Sequence, residues 1–154
     1  MADVSGLTAE VMARLRDTVG NRIDTFALPP PVFATMEGEF VELDMHAGVL
    51  TARFPMRKAY LNPYGTMQGG MIAAAVDNTL GPLSMLVAPP NVTRRLEMTY
   101  SRPITSDMPH IIVRGELLER DDRWLHFRAD VRSPDGLRLA RSRATHWISD
   151  AGHD

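Results

Sequence analysis

Residues 62–79 read NPYGTMQGGMIAAAVDNT: a glycine pair opens an apolar run, and a lone carboxylate, Asp77, follows eight residues after the first glycine. Glycines at a helix start let backbone N–H groups approach a ligand closely, and the first turn of a helix leaves those N–H groups free with a partial positive charge behind them. Gly69 and Gly70 therefore have the equipment to hold a developing oxyanion. An aspartate in an apolar setting has its charged form destabilised, which suits a general base and would also suit direct attack on a carbonyl. The chemistry these groups could share is attack on an activated acyl group. Two plainer readings use the same residues: glycines that only permit a tight turn into the helix, and a carboxylate bonded to nearby groups for structure alone.

Length decides how the two parts could meet. Eight residues of helix rise ~12 Å, so Asp77 is too far along to serve the N–H groups of its own chain. An antiparallel, two-fold pairing of two such helices would bring Asp77 of one copy to Gly69 of the other and create two composite sites. A dimer is therefore expected, or that dimer doubled to a tetramer. Asn62 precedes Pro63 and so lies in extended or turn backbone, where its amide could orient a water or a carbonyl; as a simple turn residue it would look the same.

The elements that must carry these groups follow from periodicity. Met71 to Ala88 is apolar nearly all round, which predicts a helix enclosed on most sides. Asp77, Asn78, Thr79 and Gly81-Pro82 interrupt it, and a charge near a bilayer centre costs ~3 kcal/mol, so a core helix is expected and not a membrane span. Period-two alternation predicts strands over 92–100, 111–119, 125–131 and 137–148, the last two joined by a turn at SPDG and all four forming a meander. Upstream, 41–45 and 50–54 alternate around Ala47-Gly48 as a hairpin. Leu7, Val11, Leu15 and Val19 recur every fourth residue behind Thr8, which predicts a short amphipathic helix capped by Thr8. Between them, ALPPPVF at 27–33 reads as a stiff polyproline-like connector.

The whole chain, 154 residues and 44% hydrophobic, suits one domain: a helix and proline-rich connector over 1–37 and a core over 38–148. A formal charge of −2 offers no basic field for nucleic acid. The absence of cysteine rules out disulfides, thiolate metal sites and a cysteine nucleophile, and fits a reducing cytoplasm. The first seventeen residues contain no apolar h-region, so the expectation is a chain that starts at or near Met1. The histidines at 46, 110, 126, 146 and 153 have no metal-ligand spacing, and no metal is expected.

A sheet curled round a long helix resembles the hotdog fold, an α+β architecture. NPYGTMQGG followed by Asp77 resembles the Asn-x-x-Gly-x-x-His-Gly-Gly…Asp signature of phenylacetate-pathway-like acyl-CoA thioesterases, through Asn62, Gly65, Gly69, Gly70 and Asp77; MTYSRPI at 98–104 resembles the strand after that family's helix. The likeness covers about residues 38–148, and it implies hydrolysis of an acyl-CoA at a site shared between subunits, with coenzyme A as part of the substrate and no separate cofactor. Gln68 departs from the pattern, standing where the family has histidine: an amide can hydrogen-bond in that place but cannot transfer a proton. Thr93 aligns with a family Ser/Thr that positions water near the aspartate. Coenzyme A brings phosphates, for which Arg94, Arg95, Arg57 and Lys58 are the candidate contacts, while of Arg138, Arg141 and Arg143 alternation sends the last two to one sheet face that would equally serve contact between dimers. Two other classes remain open: a hotdog protein that binds acyl-CoA without turnover, to which Gln68 points, and a hydratase, disfavoured because no histidine lies between His46 and His110. A DNA-binding regulator would need a module that one N-terminal helix does not supply.

Overall fold

The structure is a computed structural model and describes residues 4–149. Its elements in chain order are α1 (Val4–Val19), α2 (Pro31–Thr35), β1 (Glu39–Asp44), β2 (Val49–Pro55), α3 (Gly69–Val87), β3 (Asn91–Tyr100), β4 (His110–Asp121), β5 (Trp124–Arg132) and β6 (Arg138–Ile148). The strands form one antiparallel six-stranded sheet in the order β1-β2-β4-β5-β6-β3, and α3 lies against it. The architecture is the α+β hotdog arrangement anticipated from the pattern.

Alternation is what puts α3 on the inner face of the sheet. Along β5, Leu125, Phe127, Ala129 and Val131 are buried while His126, Arg128, Asp130 and Arg132 point away. On the helix Ile72, Ala75, Val76, Thr79, Leu80 and Leu83 are buried in return. Gly115 of β4 sits under the middle of α3, where an added Cβ would lie 2.7 Å from Leu80 Cδ2. A Cβ there would require the tip of Leu80 to move aside. α3 is the one helix among the described residues long and apolar enough to cross a membrane by length and composition; here its inner side packs into the core.

Three details differ from the expectations. The four later strands are not one meander: β4-β5-β6 is, but β3 crosses over to pair with β6 at the far edge, from Asn91 opposite Ile148 to Tyr100 opposite Ala140. Alternation identifies a strand but carries no information about its neighbour. The proline-rich segment is not extended throughout; Pro31 takes the first position of α2, where its missing N–H costs no helix bond, and α2 buries Phe33 in a stack with Phe40 at 4.7 Å. Thr8 is not a cap, because α1 begins at Val4. Its Oγ1 instead accepts the Phe40 N–H at 2.9 Å, and α1 packs along β1. One edge of the sheet is thus covered, whereas β3, ten residues long, forms the other edge with Val92 and Tyr100 each 49% exposed.

Candidate functional site along the long helix

The loop before α3 is built by Asn62. Its Oδ1 accepts N–H bonds from Tyr64 at 3.0 Å and Thr66 at 3.2 Å, its Nδ2 donates to Thr66 Oγ1 at 3.0 Å, and Gly65 takes a φ of 78° that favours glycine. The Asn62 amide is therefore committed to closing the turn. Gln68 is held through its backbone: its N–H donates to Tyr60 O at 2.7 Å, and its O accepts from Met71 and Ile72. The Gln68 side chain makes no cap bond and is exposed. Gly69 and Gly70 are the first two helical residues, and among the described residues neither N–H has an acceptor.

Tyr100, at the end of β3, lies over this helix start and donates its O–H to Gly69 O at 2.7 Å. A Cβ on Gly69 would stand 3.2 Å from the Tyr100 ring. Desolvation pushes the Tyr100 phenol above its ordinary value, so it is neutral and a donor at neutral pH. Gly69, Ile72, Tyr100 and Arg102 line a cleft of about 330 Å³.

Asp77 is elsewhere. It lines a second cleft, of about 220 Å³, with Asn78, Met85, Asn91, Thr93 and His146. The expectation that Asp77 is buried does not hold within one chain: its position on α3 is exposed. Helical spacing explains this, since positions 72, 75, 76, 79, 80 and 83 form one buried stripe, widened at the C-terminal end by Pro82 and Ser84, and 77 falls off it. Thr93 Oγ1 donates to Asp77 Oδ1 at 3.3 Å across sixteen residues of sequence. Strand β3 has a bulge between Thr93 and Arg95, the step that sets Thr93 opposite His146. His146 Nε2 lies 3.3 Å from Thr93 Oγ1, and its Nδ1 lies 2.9 Å from Asn91 Oδ1. Only 1% of His146 is exposed. Burial holds its imidazole below the ordinary value, against a smaller upward pull from the Asp77 charge.

The structure thus joins Asp77 with Thr93 and groups Asn62, Gln68, Gly69 and Gly70, but the first pair sits at the middle of α3 and the second set at its start, and Asp77 and Gly69 line different clefts. Sequence reasoning missed His146 and Asn91. A signal existed: alternation puts position 146 on the same inner face as Ala144 and Ile148, and a polar residue in a buried register needs partners.

The basic candidates divide. Arg57 is bound to Glu37 at 3.1 Å and to Thr35 O at 3.2 Å, and Arg95 is ion-paired with Glu97. Arg94, at the bulge, and Lys58 are exposed and have no carboxylate partner among the described residues.

With this geometry, the class of protein is defined by the hotdog fold, and its neighbours among solved structures include proteins named as thioesterases and proteins named for phenylacetic acid degradation. A phenylacetic acid degradation-related protein of Ralstonia eutropha JMP134, an inferred thioesterase, superimposes with a TM-score of 0.75 at 26% identity over 88% of this chain and 98% of that one. The Escherichia coli PaaI protein of the phenylacetic acid degradation operon gives 0.73 at 9% identity over 91% and 96%. A hypothetical thioesterase of Streptococcus pneumoniae TIGR4 gives 0.67 at 17% identity over 73% and 89%. That protein was solved with an aspartate, and separately with a threonine sixteen positions later, replaced by alanine. No family profile matches the chain, and no curated protein does.

Proposed function

We propose that the protein hydrolyses the thioester of an acyl- or aryl-CoA to the free acid and coenzyme A. The observation that carries this reading is the division of labour along α3: uncommitted N–H groups at its start, and an exposed carboxylate hydrogen-bonded to a threonine two turns later. Two copies related by a two-fold axis would join the halves, with the open edge of β3 and the exposed side of α3 as the joining surfaces. The Gly69 N–H, reinforced by the helix start, receives the thioester oxygen as charge develops on it. Asp77 of the second copy takes a proton from water while the water oxygen bonds to the carbonyl carbon. The C–S bond then breaks and the proton passes to the thiolate. Asp77 attacking directly, with an anhydride then hydrolysed, uses the same groups. Neither route needs a metal or a separate cofactor. The R. eutropha neighbour's name, and the matching Asp-to-Thr spacing in the streptococcal protein, support this assignment. Arg94 and Lys58 are the proposed phosphate contacts, and a cytoplasmic location suits the cysteine-free chain.

A second reading, acyl-CoA binding without turnover, is favoured by one observation: Gln68 has no titratable side chain to offer at the helix start. Release of free thiol from short, medium, long and aryl acyl-CoAs, measured alongside sedimentation, tests both. Thiol release by a dimer or tetramer supports the hydrolase; saturable binding with no thiol release supports the binder; full activity in a monomer refutes the shared site.

A further inference from the structure

The hydrogens in the Asn91–His146–Thr93–Asp77 chain can be counted. Asn91 Nδ2 donates to Ser84 O at 3.2 Å and to Pro89 O at 2.9 Å, so both its N–H groups are committed and its Oδ1 is fixed facing His146 Nδ1 at 2.9 Å. An oxygen with only lone pairs needs a hydrogen from its partner, so Nδ1 carries one. Nε2 of the neutral ring is then an acceptor, aimed at Thr93 Oγ1 from 3.3 Å. Thr93 has one hydroxyl hydrogen and two acceptors at 3.3 Å, His146 Nε2 and Asp77 Oδ1. With Asp77 ionised, the chain is short by one hydrogen.

A hydrogen placed on Asp77 completes it. The carboxyl O–H then donates to Thr93 Oγ1, the Thr93 O–H to His146 Nε2 and the His146 Nδ1–H to Asn91 Oδ1, with every group satisfied. We propose that His146 is a positioning residue that holds the Thr93 hydroxyl as an acceptor toward Asp77, so that the chain is complete only when Asp77 has taken a proton from water. This rests on the hydrolase reading above. His146 never touches the substrate; it acts through Thr93. The ionisable group facing it is Asp77 from α3, while Asn91 and Thr93 from β3, Ser84 from α3 and Phe127 from β5 are neutral. Protonation of Nε2 at low pH would reverse the Thr93 bond, so activity should fall with acid through the histidine.

Two measurements test the role. Nitrogen NMR of histidine-labelled protein, which needs no turnover, should report the Nδ1–H tautomer for His146 at neutral pH; the Nε2–H tautomer overturns the proposal. In thiol-release kinetics His146→Leu, which fills the space but cannot accept, should lower kcat about tenfold to a hundredfold, the effect of losing one buried hydrogen bond at the reacting group, with KM within about twofold. His146→Gln, which keeps an amide oxygen near the Nε2 position, should restore kcat to within about threefold and lose the histidine part of the acid limb. A packing role forecasts the opposite order, with leucine tolerated and glutamine harmful, and that order overturns the proposal. Should His146→Leu fail to fold, Asn91→Leu should release the tautomer and lower kcat; an unchanged kcat there counts against the role. Native protein inactive on every acyl-CoA overturns the hydrolase reading itself, whereas active native protein with an unaffected leucine variant overturns only the part played by His146.

Discussion

Replacing Asp77 by asparagine separates chemistry from folding because the position is exposed on α3 and its described polar partner is one 3.3 Å bond from Thr93. An asparagine keeps a polar partner for Thr93 in either sense, its oxygen accepting the hydroxyl hydrogen or its N–H donating to Oγ1. The stability change for such a substitution should stay within ~0.5 kcal/mol. At ~2–4 °C per kcal/mol for a domain of this size, the melting temperature should move by no more than ~2 °C. Against a stability of at least ~5 kcal/mol, such a change alters the folded fraction negligibly. The loss of a positioned base, in contrast, typically lowers the rate by ~10²–10⁴, or ~2.7–5.5 kcal/mol of barrier. The barrier term exceeds the stability term at least fivefold, so kcat in thiol release should collapse while the thermal transition and acyl-CoA binding persist. Mixing Asp77→Asn with an inactive Gly69 variant extends the test, since hybrid dimers hold one intact site if the two groups come from different chains. A melting temperature lowered in step with activity would refute the catalytic role; demonstrated subunit exchange without recovered activity would refute the shared site.

Three further outcomes follow from the site. Gly69→Pro deletes the proposed oxyanion donor at a position where proline fits: first in the helix, behind Gln68 at φ −58° and ψ 134°. Activity should fall by ~10²–10³ with helix content kept by circular dichroism, after Tyr100 shifts by a few tenths of an ångström. Gln68→His should leave kcat within about tenfold, ~1.4 kcal/mol of barrier, because the backbone N–H beside it acts; a gain of several hundredfold in thiol release would mean the protein as it stands is chiefly a binder. Arg94→Ala or Lys58→Ala should raise KM for acyl-CoA more than Arg57→Ala, whose guanidinium already holds Glu37, and salt titration of KM should flatten in the first two variants alone.

The elements of the sheet and the long helix were legible because burial on one face imposes a period of two on strands, and a long apolar run marks a helix, although within one chain α3 buries one side and is not enclosed on most sides as expected; β1 to β6 and α3 lie within a few residues of where those patterns placed them. The glycine pair and Asp77 were legible as chemistry because glycine and an isolated carboxylate are costly choices in an apolar run. Their separation was legible too, since helical rise per residue is fixed by geometry. Strand neighbours were not. Position 92–100 reads as a strand whether it joins β4 or β6, and only the packing of β3 against α3 and β6 decides that Thr93 meets Asp77 at one end and Tyr100 meets Gly69 at the other. The exposure of Asp77 within one chain was not legible for the same reason: hydropathy along the chain says that a stretch is apolar, while which positions of a helix face the sheet depends on how the helix is turned against it. His146 and Asn91 are 55 residues apart, and their bond exists only because β3 and β6 pair in one register. A hydrogen-bonded chain across strands is a property of that register, and the tertiary structure alone sets it.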